Sequence, residues 1–223
     1  MSVQKDNYKQ LSSLMQQQRV TLVAVSKTKP VPDIEALYAL GHRDFGENYV
    51  QELVEKQPQL PADTRWHFIG HLQSNKVKFI SPFVHLIHSV DSLKLLQTIN
   101  RQGASQNRKI RCLLQVHIAS EETKFGLDRT ELISLLQFVA DNQEMENIQI
   151  SGLMGMASFT DDTQKVRSEF RMLKSLFEEM KEKFFYHDDN FKELSMGMSG
   201  DYKIAIEEGS TMVRIGSLLF GSR

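Results

Sequence analysis

Apolar residues fall along the chain in two alternating rhythms. Short β-branched runs read as strands buried on both faces, and the stretches between them carry apolar positions three and four residues apart. Residues 1–19 are mainly polar, with Leu11, Leu14 and Met15 at helical spacing, which predicts an extra N-terminal helix packed on the outside of the fold. Strands are then predicted at Thr21–Ser26, Asp44–Phe45, Trp66–Ile69, His85–Val90, Ile110–Ile118, Ile148–Leu153, Glu193–Met196 and Thr211–Ile215. Between them helices are predicted over Val31–Leu40, closed by Gly41, and Val50–Gln57, stopped by Pro58. Further helices are expected over Gln73–Ile80, from Ser92 to about Arg101, over Arg129–Asn142, Thr163–Phe185 and Asp201–Glu208. Strict alternation of eight strands with helices implies parallel strands joined by crossovers, an α/β chain forming a single (β/α)8 TIM barrel. The alternative is a doubly wound open sheet, which usually has five to seven strands. No linker or low-complexity stretch divides the 223 residues, so residues 1–223 read as one domain.

Composition narrows the setting. The formal net charge of −1 gives no pull toward nucleic acid or an anionic membrane. No apolar run is long enough to span a bilayer, and the N-terminal residues have no secretory h-region. The single cysteine, Cys112, sits in an apolar run and reads as packing. A reducing, cytoplasmic setting is expected.

A barrel of this kind carries its chemistry at the C-terminal ends of its strands. The first strand delivers Ser26-Lys27-Thr28-Lys29-Pro30. A desolvated lysine amine is a nucleophile toward an aldehyde; the plainer reading is a rim lysine snorkelling to water. His71 follows the third strand and His88 lies toward the end of the fourth, without the short spacings of a structural metal site, so no metal is expected. Ser195-Met196-Gly197-Met198-Ser199-Gly200-Asp201 leaves the seventh strand for a helix, and Arg214-Ile215-Gly216-Ser217 ends the eighth. Small residues there let backbone N–H groups approach an anion, and a helix dipole would add to the attraction. Two such turns on the last two strands make a phosphate anchor. With Lys27 expected across the barrel mouth from them, the pair fits a ligand that carries both a phosphate and an aldehyde, which is pyridoxal 5′-phosphate (PLP).

These residues also carry a resemblance. The segments Leu22–Pro30, Phe45–Glu52, Trp66–Lys76, Gly152–Ala157 and Leu194–Gly221, in order along nearly the whole chain, resemble the pyridoxal phosphate homeostasis proteins. That family is similar to the N-terminal barrel domain of alanine racemase. The resemblance implies that Lys27 is the Schiff-base lysine and that Ser199, Gly216 and Ser217 hold the phosphate. It implies further that Arg214 meets the pyridine nitrogen and that Asn48 and Met154 wall the ring. An arginine is a donor only, so the nitrogen it meets stays unprotonated and the ring becomes a weaker electron sink. Three positions depart from the family pattern: Ser217 for a threonine, Gly200 for an acidic residue and His117 for an asparagine.

Racemisation needs two bases on opposite faces of the substrate carbon. Alanine racemases resemble this barrel followed by a second domain whose tyrosine supplies one base. Here the chain ends at Phe220-Gly221-Ser222-Arg223, and Tyr49 and Tyr202 read as packing. The expectation is therefore a monomeric PLP carrier, reservoir or regulator serving PLP-dependent apo-enzymes, without enzymatic activity. The alternative is a weak racemase, lyase or other PLP-dependent enzyme acting on a small amino acid.

Overall fold

The strands of the computed structural model are short and mostly buried because both of their faces are covered. The described residues are 3–119 and 125–221. Met1, Ser2, Ser222 and Arg223, which the sequence reading included, lie outside them. Eight strands alternate with helices in chain order: α1 (Lys5–Gln18), β1 (Thr21–Val25), α2 (Val31–Tyr38), β2 (Asp44–Glu47), α3 (Val50–Lys56), β3 (Arg65–Phe68), α4 (Val77–Ile80), β4 (Leu86–Val90) and α5 (Leu93–Ser105). There follow β5 (Ile110–Gln115), α6 (Arg129–Asp141), β6 (Ile148–Met154), α7 (Thr163–Phe184), β7 (Glu193–Ser195), α8 (Tyr202–Glu207), β8 (Met212–Ile215) and α9 (Ser217–Phe220). All strands are parallel, and the sheet closes β1 through β8, with β8 paired back onto β1 at Val23↔Arg214 and Ala24↔Ile215. This is the (β/α)8 barrel of the sequence reading, and α1 lays Tyr8, Leu11 and Met15 against its outside.

Two apolar clusters result. The larger lies between strands and helices and includes Phe45, Phe68, Leu114, Phe170 and Ile215. The smaller gathers Val23, Leu86, Leu113, Met154 and Met212, with Met156 packed against it. Period-two alternation puts the second set on the opposite strand face from the first, inside the barrel.

The differences from the predicted elements have local causes. The helix expected over Gln73–Ile80 begins as a 3-10 turn, Ser74–Lys76, because Ser74 and Asn75 favour turns. The fifth strand stops at Gln115 although the apolar run continues. Beyond it the Val116 N–H still donates to the Met154 carbonyl at 2.8 Å, but Val116 is bridged to Leu127, and the His117 N–H bonds the Leu127 carbonyl at 3.0 Å. In the other direction α5 continues past Arg101 through Gly103, where a Cβ would lie 2.5 Å from the Asn147 carbonyl oxygen. Glycine there permits a close approach rather than ending the helix. Among the described residues no helix is long and apolar enough to cross a membrane.

Candidate functional site at the barrel mouth

Lys27 follows β1 by two residues and shares the inward parity of Val23 and Val25. Its backbone is clamped from both sides. On one side the Ser26 hydroxyl donates to Glu47 at 2.7 Å, and the Ser26 carbonyl accepts from Lys56 Nζ at 2.8 Å. On the other, Thr28 stands at φ 61°, a left-handed conformation that β-branched residues avoid. The Thr28 N–H donates to Glu52 at 2.6 Å, which fixes that geometry. Lys56 closes the clamp with bonds to Glu47 at 2.8 Å and Glu52 at 2.6 Å. Glu47 is fully buried, and desolvation raises its carboxyl above the usual range against the pull of Lys56.

The closed barrel corrects one expectation about Lys27. It does not face the glycine–serine turns across the mouth; β1 is hydrogen-bonded to β8, so the lysine and the last turn are neighbours. A Cβ on Gly216 would sit 3.3 Å from that of Val25. The two turns meet, with the Gly216 N–H donating to Ser199 Oγ at 3.4 Å. Ser217 is exposed beside them. Gly197 turns the chain at φ 96°, where a Cβ would collide with that of Ala205 at 2.6 Å. The helices after these turns span six and four residues, so the expected dipole contribution is not built here. N–H and hydroxyl donors are what the turns present.

Arg214 enters the barrel from β8 and is 4% exposed. Its Nη1 donates to Ser195 Oγ at 2.6 Å and its Nη2 to the Gly155 carbonyl at 3.0 Å. Both partners are neutral, and burial lowers the guanidinium to about 10, still charged at neutral pH. Met154 is fully buried in the interior cluster below the mouth. Asn48 lies at the end of β2, and its buried Oδ1 has no hydrogen-bond partner. Gly70 makes room for it, since a Cβ there would fall 2.2 Å from the Asn48 carbonyl oxygen. Of the three family departures, Gly200 has open space around it, so an acidic side chain would fit and its loss leaves no gap. His117 stands just beyond β5 and is half-buried.

Several polar residues on these elements were not singled out as site residues by their pattern. They are Glu47, Glu52 and Lys56 of the clamp, and Asp44, His67 and Ser195 of a buried row under Arg214. A partial signal was present in period two: Asp44, His67, His88, Ser195 and Arg214 all fall on inward positions of their strands, although Arg65 and Glu193 share that parity on β3 and β7. His71 and His88, the two histidines weighed as metal ligands, are far apart in character. The first is exposed, pairs with Asp91 at 3.3 Å and stacks on Phe125. The second is buried in the barrel. At the opposite end, Asp44, His67 and His85 bring ligand-type atoms within 4.8 Å of one another. Arg65 is paired with that carboxylate and Arg111 donates to His85 at 3.1 Å, so two guanidiniums stand where a cation would bind.

A (β/α)8 barrel with a lysine, an arginine and a phosphate-type cradle at its mouth defines a class, and comparison places the chain within it. The profile of the alanine racemase N-terminal domain matches residues 3–223. A pyridoxal phosphate homeostasis protein of Pasteurella multocida is 40% identical over 209 residues, covering 92% of this chain and 87% of its own length. The human pyridoxal phosphate homeostasis protein is 42% identical over 214 residues, covering 91% and 76%. PipY of Synechococcus elongatus, solved with PLP bound, superimposes with a TM-score of 0.86 at 35% identity, covering 96% of this chain and all of that one. The Clostridium difficile alanine racemase shares the fold at 14% identity, with a TM-score of 0.75 over 59% of its chain. The chain belongs to the alanine racemase N-terminal-domain family, among the pyridoxal phosphate homeostasis proteins.

Proposed function

We propose that this protein binds pyridoxal 5′-phosphate through a Schiff base at Lys27 and serves intracellular PLP homeostasis as a carrier, reservoir or regulator. The observation that supports this reading most is the meeting of Lys27, the Ser199–Gly216 contact and Arg214 on the adjoining strands β1, β7 and β8, in a chain 35% identical to a relative solved with PLP bound.

The residues fit the cofactor. The Ser199 and Ser217 hydroxyls and the Gly216 N–H supply donors for the phosphate, the Arg214 guanidinium a donor for the pyridine nitrogen, and the unpartnered Asn48 Oδ1 an acceptor at the wall. Met154 closes the floor with apolar surface. When bound, PLP offers an aldehyde and an electron-withdrawing ring. The clamp of Glu47, Glu52 and Lys56 holds the Lys27 backbone in place. Arg214, unable to accept a proton, leaves the ring nitrogen unprotonated and its electron demand low. That combination suits retention and release of the cofactor better than carbanion chemistry. The same reading makes residues 1–223 one PLP-binding domain, monomeric and cytoplasmic, with PLP-dependent apo-enzymes as recipients.

A tyrosine base opposite Lys27 has no candidate among the described residues. Tyr202 lies against α1 on the outside of the barrel, beside Asn7 and Leu11, and Tyr49 is 56% exposed. The test is to load the protein with PLP, remove free cofactor and mix it with an apo-enzyme that requires PLP. Recovery of that enzyme's activity in proportion to the load is expected; no recovery overturns the carrier reading. Exchange of amino-acid α-protons with deuterium together with loss of configuration at that carbon, both lost in Lys27→Ala, would instead establish a racemase.

A further inference from the structure

The interior of the barrel is not uniformly apolar. Beside the cluster of Val23, Leu86, Leu113, Met154 and Met212 runs a row of buried polar side chains from the mouth toward the opposite face. Arg214 Nη1 donates to Ser195 Oγ at 2.6 Å. Ser195 Oγ lies 3.0 Å from His88 Nδ1, His88 Nε2 lies 2.9 Å from His67 Nδ1, and His67 Nε2 lies 3.0 Å from Asp44 Oδ1. Arg65 then donates to both oxygens of Asp44, from Nε at 2.7 Å and from Nη2 at 2.5 Å. Ser195 and His88 are fully buried, and His67 is 1% exposed.

The chemistry of the two ends fixes the sense of every bond between them. A guanidinium can only donate, and an ionised carboxylate can only accept. Burial would raise the Asp44 carboxyl, but hydrogen bonds from Arg65 and His67 hold it well below the usual range, so it is ionised. Hence His67 donates Nε2–H to Asp44 and accepts at Nδ1, His88 donates Nε2–H to His67 and accepts at Nδ1, and Ser195 donates its hydroxyl to His88 while accepting from Arg214. The reverse sense would make Ser195 accept from both sides and leave its own proton without a partner. Burying five polar groups is unfavourable unless all are satisfied. Here they are, in a place where leucine or valine would pack a barrel interior at less cost.

We propose that Ser195, His88, His67 and Asp44 are positioning residues for Arg214: a one-directional hydrogen-bond chain that holds the guanidinium at the height and angle at which it meets the ring nitrogen of bound PLP. This rests on the cofactor reading above. The chain ties the arginine to a carboxylate at the far end of the barrel rather than to one beside it. The guanidinium therefore has a fixed acceptor, and its hydrogen bonds among the described residues go to neutral partners, Ser195 and the Gly155 carbonyl, rather than to a carboxylate.

Two measurements test this. The first uses the wild-type protein without cofactor: nitrogen-15 NMR of the histidine side chains should show the Nε2–H tautomer at both His67 and His88. An Nδ1–H tautomer at either ring contradicts the proposal. The second compares PLP uptake and the visible absorption band in wild type, Ser195→Ala and His88→Leu, with folding checked by circular dichroism. Ser195→Ala removes the acceptor of Arg214 with almost no change in volume. Uptake weakened about tenfold, with a displaced band and the adduct still on Lys27, is expected for the loss of one hydrogen bond to a charged group. Should His88→Leu fail to fold, Ser195→Ala and the tautomers decide the matter. A folded Ser195→Ala protein with unchanged uptake and band overturns the positioning role while leaving Lys27 binding intact. A wild type that takes up no PLP overturns both readings together.

Discussion

At the residue scale, the lysine that bonds a cofactor is only as well placed as the backbone that carries it. Lys27 stands between Ser26 and a Thr28 in the left-handed region, and Lys56 holds both flanks through Glu47, Glu52 and the Ser26 carbonyl. Replacing Lys56 with Met removes the cation that pairs with the fully buried Glu47 at 2.8 Å. Leaving a buried charge uncompensated costs about 3–5 kcal/mol, so Lys56→Met should lower unfolding stability by roughly that amount in a denaturant titration. It should also slow PLP uptake, because Thr28 loses the support of Glu52. Unchanged stability would mean that Glu47 is satisfied by other means. Lys27 and the two turns could be placed from the sequence because strand ends can be located from apolar runs, whereas the role of Arg214 came only from the family resemblance. The clamp was not, since it joins residues 21 and 30 positions apart whose partnership only strand pairing reveals.

At the scale of elements, the crossovers follow the apolar spacing and the caps. The capping box of Asp128 and Glu131 starts α6, and the Asp162 side chain caps α7. The turn between β7 and α8 has two glycines with different duties. Gly197 has positive φ and no room for a Cβ; Gly200 has open space. Gly197→Ala should therefore destabilise by about 1–3 kcal/mol and weaken phosphate binding, whereas Gly200→Ala should stay within about 0.5 kcal/mol of wild type. Thermal melts with and without inorganic phosphate check both; equal behaviour of the two variants would remove the distinction. The helices that follow this cradle are short, Tyr202–Glu207 and Ser217–Phe220, so the donors nearest a phosphate are those of the turns themselves.

At the scale of the molecule, the barrel carries buried histidines that acid should expose as a weakness. Burial lowers His42, His85 and His88 below the usual imidazole value, His85 to about 4. Near them stand Arg65, Arg111, Arg214, His67 and Asp44; the guanidiniums disfavour protonation, and Asp44 opposes them. These rings stay neutral in the folded state, while in the unfolded chain they take up protons as pH falls through about 6.5. The unfolded state then binds more protons, so stability rises with pH across this window and is lost between about pH 6.5 and 4. The melting temperature should fall by several degrees between pH 7 and pH 5; a flat profile would mean these rings are protonated in the folded protein. The closed eight-strand architecture was legible because alternation of strand and helix allows few topologies. The polar row inside it was hidden because Asp44, His67, His88 and Ser195 lie on four strands and meet only when the barrel closes.

The central claim is that Lys27 holds pyridoxal phosphate covalently. It is tested most directly by incubating the purified protein with PLP, recording the absorption spectrum before and after borohydride, and mapping the reduced adduct by peptide mass. A single adduct on Lys27, absent from Lys27→Ala, is the predicted result. No adduct, or an adduct on another lysine that survives Lys27→Ala, would contradict it.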